Sequence, residues 1–386
     1  MTAATKSEAE AYLEDRRQRG FNAVLVNIIE HYFNGPVNKE GNAPFLRTGS
    51  VYDFSKPVEA YFAHIDYVIG LARDKGMLVM LTPAYLGYNG GQQGWWPEIN
   101  TAVNTEAVME SYGRYLGTRY RNYNNILWVM GGDWYGQEAL PKTRSVVRGL
   151  QATDQSGRLF TAHNARQESG YTYYGSESWF TVNSTYSECT STPQRLVADY
   201  QRTRVMPFFY IEGRYENESD WTPRCLRSQA YWPALMGAVG SIFGNYPIYS
   251  FDPGWQTALG SVGAQGMTYF GRLFKSRAWE RLVPDLAGAV LMAGAGTLGP
   301  DYASAARTSD GATVIVYSPI QKALTIDMTK ISGALARVWW FNPATGVATL
   351  GGDFATTGSR SFTPPASGDW LLVIDDASLG LAAPGQ

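Results

Sequence analysis

The sequence predicts an α/β protein: a (β/α)8 barrel of the TIM type lacking its first strand, followed by a small C-terminal β-sandwich. Three observations lead there. Helix-like and strand-like segments alternate strictly from residue 6 to about residue 282. The strand-like segments are continuous apolar runs, as strands buried on both faces of a parallel sheet are. After Pro284 helical periodicity stops, and short β-rich runs separated by Gly, Pro, Asn and Asp take over. The 386 residues therefore divide into 1–284 and 285–386.

Residues 6–19 read as an amphipathic helix stopped by Gly20, and 21–29 (FNAVLVNII) as the first visible strand. A helix over 56–75 ends at Gly76 and precedes the strand 77–83; a helix over 105–121 precedes the strand 126–130. The pattern continues with helix 140–152, strand 159–162 and a short strand at 179–183. Helix 193–204 leads to strand 207–212, and helix 224–239 to a last strand within 241–249, after which a long helix runs to about 282. That makes seven strands, and the chain opens on a helix, so the absent one is the first. A doubly wound sheet is the alternative, disfavoured because no Gly-rich phosphate fingerprint follows the first strand. The C-terminal runs are 312–319, 323–328, 336–343 and 369–376.

Hydrophobic residues make up 45% and charged residues 17%, enough apolar material for a sizeable core. A formal net charge of -2 gives no basic face for general nucleic-acid binding. No apolar run reaches the roughly 18 residues of a membrane span, and no signal-type segment opens the chain. Aromatics reach 14%, the residues that stack sugars and also fill cores. Three His residues share no metal-ligand spacing, so neither metal nor cofactor is expected. Cys189 and Cys225 follow neighbouring strands; a disulfide and two free thiols both remain open.

Polar and aromatic residues gather just after the strands, where a barrel places its active site. Asp133 sits in Gly-Gly-Asp-Trp at the end of a strongly apolar strand. Trp134 beside it supplies an apolar wall that would raise a carboxyl pKa, as a general acid requires. Glu212 ends PFFYIE, followed by Gly-Arg-Tyr-Glu; Arg214 and Tyr215 would keep it ionised as a nucleophile. Two carboxyls on two strands among aromatics are the minimum equipment for glycoside hydrolysis. Taken singly, each is more often a cap or a surface ion pair; it is the pair in a barrel frame that favours the catalytic reading. Secondary candidates for the pocket are Asn27, His31 and Tyr32 after the first visible strand, Tyr85, Trp95 and Trp96 after the next, and His163 with Asn164. Asn183, Tyr215, Tyr246 and Trp255 complete the set, while His64 lies inside a helix and reads as structural.

Several stretches carry a family resemblance: YLEDRRQRGFNAVLVN (12–27), NNILWVMGGDW (124–134), IEGRYE (211–216), QAYWPALMGAVGSIFGN (229–245), SRAWERLVPD (276–285), VWWFNPATG (338–346) and FTPPASGDWLLVIDD (362–376). With them, essentially the whole chain resembles the apiosidase-like glycoside hydrolases, family 140 among them, whose barrels carry a C-terminal domain of the collagen-binding type. The resemblance implies a retaining hydrolase with Asp133, at the end of the fourth strand, as acid/base and Glu212, at the end of the seventh, as nucleophile. Glu216 competes for the second role; Glu212 is preferred because the strand end fixes it. Plant cell-wall side chains, apiose-bearing pectin included, are the substrates it suggests, and secretion or a periplasmic site is the location. Members usually open with a Gly-Asp-Thr-Ala-Trp type strand, and nothing like it precedes Thr5. A non-catalytic carbohydrate-binding protein is the competing reading. The sandwich is read as support for the barrel rather than as an adhesion module.

Overall fold

The computed structural model describes residues 2–30, 35–134 and 136–386. Packing divides the chain into two compact units: Met1–Tyr186 with Pro247–Leu259, and Ser187–Tyr246 with Gly260–Gln386. No helix among the described residues is long and apolar enough to cross a membrane.

The first unit opens with α1 (Lys6–Gln18), whose start is fixed by a capping box: the Thr5 hydroxyl accepts from Glu8 N at 3.3 Å, and Glu8 accepts from Thr5 N at 2.8 Å. β1 (Ala23–Asn27) follows, then a hairpin of β2 (Phe45–Thr48) and β3 (Val51–Pro57) that sequence reasoning does not assign. Pro57 ends β3, so α2 (Glu59–Asp74) starts three residues later than its periodicity suggests. β4 (Leu78–Thr82), α3 (Trp96–Ile99), α4 (Glu106–Tyr120), β5 (Ile126–Gly131), α5 (Leu140–Thr153) and β6 (Phe160–His163) complete the alternation. The strands form a parallel sheet in the order β1-β4-β5-β6. Its register sets Asn27 beside Thr82 and Gly131 beside His163, so the carboxyl ends meet along one edge. Every residue of β5 is buried, which explains its uninterrupted apolar run.

The strand expected at 179–183 is displaced. Residues 170–174 form a short helix, α6 (Gly170–Tyr174), and Trp179 and Phe180 lie in a turn, packed against Phe160 and Tyr174. The strand itself is β7 (Asn183–Tyr186). Aromatic side chains that mimic a strand here serve the core instead.

The second unit contains α7 (Thr192–Tyr200), β8 (Phe208–Glu212) and α8 (Pro223–Leu235). The strand expected in 241–249 is reduced to isolated parallel bridges, Tyr210 to Ser241 and Glu216 to Asn245. Gly240, Gly244 and Pro247 interrupt it, and neither residue type supports a continuous ladder. The following helix is Val262–Lys275, shorter than expected, because Arg277 turns inward to pair with Asp375.

The remaining strands are β9 (Leu282–Pro284), β10 (Leu291–Ala293), β11 (Ser304–Thr308), β12 (Thr313–Ser318), β13 (Leu324–Asp327), β14 (Leu335–Asn342), β15 (Val347–Ala355), β16 (Ser359–Phe362) and β17 (Trp370–Asp376). They build a six-stranded antiparallel sheet, β15-β14-β17-β12-β11-β9, and a three-stranded one, β10-β13-β16. One face of the larger sheet (Val314, Val316, Leu372, Ile374) shares a core with the smaller sheet through Leu324 and Ile326. Its other face (Ile315, Tyr317, Leu371, Val373) packs with Tyr210 of β8, Tyr231 and Trp232 of α8, and Phe274. With alternate side chains pointing to opposite faces, both covered, β12 and β17 read as unbroken apolar runs although they are antiparallel. Arg277 and Asp375 lie at the base of this packing with side chains 1% and 2% exposed, joined by two hydrogen bonds of 2.9 and 2.7 Å. Arg227 of α8 makes the equivalent paired contact with Asp369.

Candidate active site

In the first unit the sheet register assembles the predicted residues. The two glycines before Asp133 are there for packing. Gly131 has φ +86°, and a Cβ on it would lie 2.5 Å from the His163 carbonyl and 2.9 Å from the Tyr174 hydroxyl. A Cβ on Gly132 would lie 2.8 Å from Gly87 N. The loop after β4 is thus pressed against the end of β5, with Leu86 N donating to Gly131 O at 3.1 Å. Asp133 and Trp134 emerge from this junction half-buried. Trp134 packs on Trp96, ring centroids 5.8 Å apart. His163, buried at the end of β6, contacts Tyr85 and Tyr186 edge-on at 6.0 and 5.9 Å. Asn27, at the end of β1, donates to Glu30 at 3.2 Å. Asp133, Trp134, Tyr85, Trp96, His163 and Asn27 therefore belong to the carboxyl side of the parallel strands, as expected.

Three expected pocket residues serve elsewhere. Asn183 begins its strand rather than ending it; it is fully buried, and its side-chain oxygen accepts from Ser169 Oγ and from Tyr171 N at 2.9 Å. It fastens the start of α6, and the residue at the strand end is Tyr186. Asn164 is also fully buried; it donates to Ala165 O and Glu168 O and accepts from Ser184 Oγ at 2.8 Å. Trp95 is fully buried among Phe45, Tyr52 and Phe54, so of the Trp pair only Trp96 reaches Trp134. His31 and Tyr32 lie outside the described residues. His64 is buried within α2, 3.5 Å from Glu40, in keeping with a structural role.

In the second unit Glu212 ends β8, half-buried, with its carbonyl accepting from Ser187 N at 3.2 Å. The chain beyond is tightly held. Arg214 sends its guanidinium to Glu188 at 3.0 Å and Asp220 at 3.7 Å, which differs from the expectation that it serves Glu212. The Tyr215 ring covers Gly244, where a Cβ would lie 2.5 Å from it. Tyr246 is 41% exposed, and its carbonyl accepts from Asn217. Glu216 is 2% exposed, and its carboxylate accepts from Asn245 Nδ2 (2.7 Å), Ser261 Oγ (2.5 Å) and Gly263 N (2.8 Å). It thereby anchors the N-terminus of the helix Val262–Lys275, a place where negative charge is favoured. Of the two glutamates near the end of β8, Glu216 is a structural anchor. Cys189 and Cys225 form a disulfide with Cα atoms 5.5 Å apart. Beside it lies a cavity of about 310 Å³ lined by Glu188, Arg214, Thr222, Arg224, Ser228 and Trp232.

Sequence reasoning does not reach Glu30, Tyr186, Glu188 or Gln229. Tyr186 is hidden by the displaced strand, whereas Glu30 and Glu188 each follow a strand within three residues and could be found by position. Gln229 lies mid-helix and carries no local signal.

Among solved structures, a glycoside hydrolase family 5 protein from Bacteroides vulgatus ATCC 8482 superposes with a TM-score of 0.83 at 21% identity, over 99% of this chain and 89% of that one. A second structure, described as a glycoside hydrolase, gives 0.82 at 22% identity, over 97% and 90% of the two chains. At these identities the likeness is one of fold. No curated protein matches the chain. Residues 283–375 match the family described as "Putative collagen-binding domain of a collagenase". Residues 1–281 match the family described as "Apiosidase-like, catalytic domain". By that match the chain belongs to the apiosidase-like family and is a glycoside hydrolase.

Proposed function

We propose that the protein is a retaining glycosidase of plant cell-wall side chains, with Asp133 as acid/base and Glu212 as nucleophile on a (β/α)8-type barrel. The observation that carries this reading is the placement of the two carboxyls. Each stands at or just past the carboxyl end of a buried strand, half-buried, while Glu216 is consumed as a helix anchor. A Glu212 oxygen attacks the anomeric carbon as the glycosidic C–O bond breaks, and the Asp133 proton passes to the leaving oxygen. Asp133, now ionised, takes a proton from water. That water displaces Glu212 from the anomeric carbon and restores both groups. On the first unit, Trp96, Trp134, Tyr85 and His163 offer aromatic and polar surface for a sugar. The Cys189–Cys225 disulfide suits a secreted or periplasmic enzyme. The C-terminal sheets serve as structural support, as their shared core with β8 and α8 suggests.

The test uses apiose-bearing pectic polysaccharide as substrate and NMR of the first-formed sugar anomer. Asp133→Ala and Glu212→Gln should each lower kcat by about 10²–10⁴-fold or more. Azide should restore turnover in Asp133→Ala, giving a glycosyl azide of retained configuration. Inverted product, or full activity in Glu212→Gln, would overturn the mechanism. Sugar binding without turnover in the unaltered protein would favour the carbohydrate-binding alternative.

A further inference from the structure

The backbone that follows Glu212 is gripped by a single side chain on another element. Gln229 projects from α8 and is 6% exposed. Its Oε1 accepts from Arg214 N at 2.7 Å, and its Nε2 donates to Arg214 O at 3.0 Å. One amide thus satisfies both backbone groups of the residue two places beyond Glu212, as a neighbouring strand would. The intervening Gly213 is boxed in. A Cβ there would stand 2.2 Å from the Tyr210 hydroxyl and 2.7 Å from Gln229 Oε1. The Tyr210 hydroxyl donates to Ser187 O, and Ser187 N donates to the Glu212 carbonyl. Backbone contacts therefore hold Glu212 on one side through Ser187 and on the other through Gln229.

The platform beneath Gln229 is itself fixed. Cys225 lies one turn earlier on the same face of α8, and its disulfide to Cys189 ties that turn to the segment just after Ser187. Thr222 caps the helix, accepting from Cys225 N at 3.1 Å. The Arg214–Glu188 ion pair ties the backbone that Gln229 holds to that same segment after Ser187.

We infer that Gln229 is a positioning residue for the nucleophile: it holds the backbone on which Glu212 stands and does not itself touch the sugar. The inference rests on Glu212 being that nucleophile. A displacement of the order of 1 Å at a reacting group can cost about 100-fold in rate. Gln229→Met keeps the buried volume and removes both hydrogen bonds. On apiose-bearing pectic polysaccharide it should lower kcat about 10- to 100-fold with KM within about twofold. Gln229→Glu supplies an isosteric check. Protonated, its carboxyl offers one donor and one acceptor as the amide does; ionised, it cannot donate to Arg214 O. Its kcat relative to the unaltered enzyme at the same pH should therefore rise toward one as pH falls, a signature that a mere packing role would not give.

A readout independent of turnover accompanies these assays. Amide hydrogen exchange across 213–216 should speed up about tenfold or more in Gln229→Met, while α8 stays protected. Unchanged exchange together with unaltered kcat would overturn the inference. Full activity in Glu212→Gln would instead sink the nucleophile assignment, and the exchange result would still decide whether Gln229 holds this backbone.

Discussion

Two glutamates four residues apart near the end of one strand can be told apart by what their loss would do. Glu216→Gln replaces a carboxylate that accepts from Asn245, Ser261 and Gly263 by an amide that must turn its NH2 toward at least one of those donors. Hydrogen bonds to charged acceptors contribute about 1.5–3 kcal/mol each. Loss of negative charge at the start of the helix Val262–Lys275 removes roughly another 0.3–1 kcal/mol. With the two contacts on the oxygen that stays an acceptor retained in part, the cost is about 3 kcal/mol. At about 2.1 cal/mol/K of unfolding entropy per residue, 386 residues turn that into a fall in Tm of about 4 °C. The site leaves no room for a swollen solution, since a Cβ on Gly263 would already lie 2.5 Å from Glu216 Oε2. Calorimetry of purified Glu216→Gln and Glu212→Gln, with kcat measured on the folded fraction, separates the two. Glu216→Gln should melt lower and keep kcat within a few-fold. Glu212→Gln should melt near the unaltered protein and lose about 10²-fold or more. An unshifted Tm with abolished turnover in Glu216→Gln would refute the reasoning and move the nucleophile to Glu216.

The C-terminal sheets should prove inseparable from β8 and α8. Breaking the buried Arg277–Asp375 pair with Asp375→Ala should cost about 3–5 kcal/mol and lower the urea midpoint. A chain stopped after residue 282 should lose its cooperative unfolding transition, and a fully active, cooperatively melting truncation would contradict the support role. Glu177 should report on acid stability, because hydrogen bonds from Arg144 hold its carboxyl below the usual range. Its contribution of about 1 kcal/mol is present above the ordinary carboxylate value of about 4.3 and fades as pH falls through the lowered value. Urea titrations of Glu177→Gln and the unaltered protein should therefore converge below that range, and an equal gap at all pH values would count against it.

How much of this was readable in advance varies by element. β4, β5, β6 and β8 stand where their apolar runs place them, because a strand covered on both faces favours apolar residues; β1 stands there too, although only Val24 of its five residues is buried. Asp133 and Glu212 were legible for the same reason, as the polar residues that end such runs. The displaced β7 shows the limit. Trp179 and Phe180 look like strand residues, yet their partners Phe160 and Tyr174 are brought to them only by the fold, and a strand drawn through them puts Asn183 at its end rather than its start.

The sequence by itself determined the helix–strand alternation, the change of texture near residue 284, the family and the two candidate carboxyls, all of which rest on local pattern and chemistry. Only the tertiary structure decided which glutamate anchors a helix, that Cys189 and Cys225 meet, that the larger C-terminal sheet is covered on both faces, and that Gln229 grips Arg214. These depend on groups far apart in the chain reaching hydrogen-bond or van der Waals distance. Such distances are set by packing in three dimensions, and no periodicity along the chain encodes them.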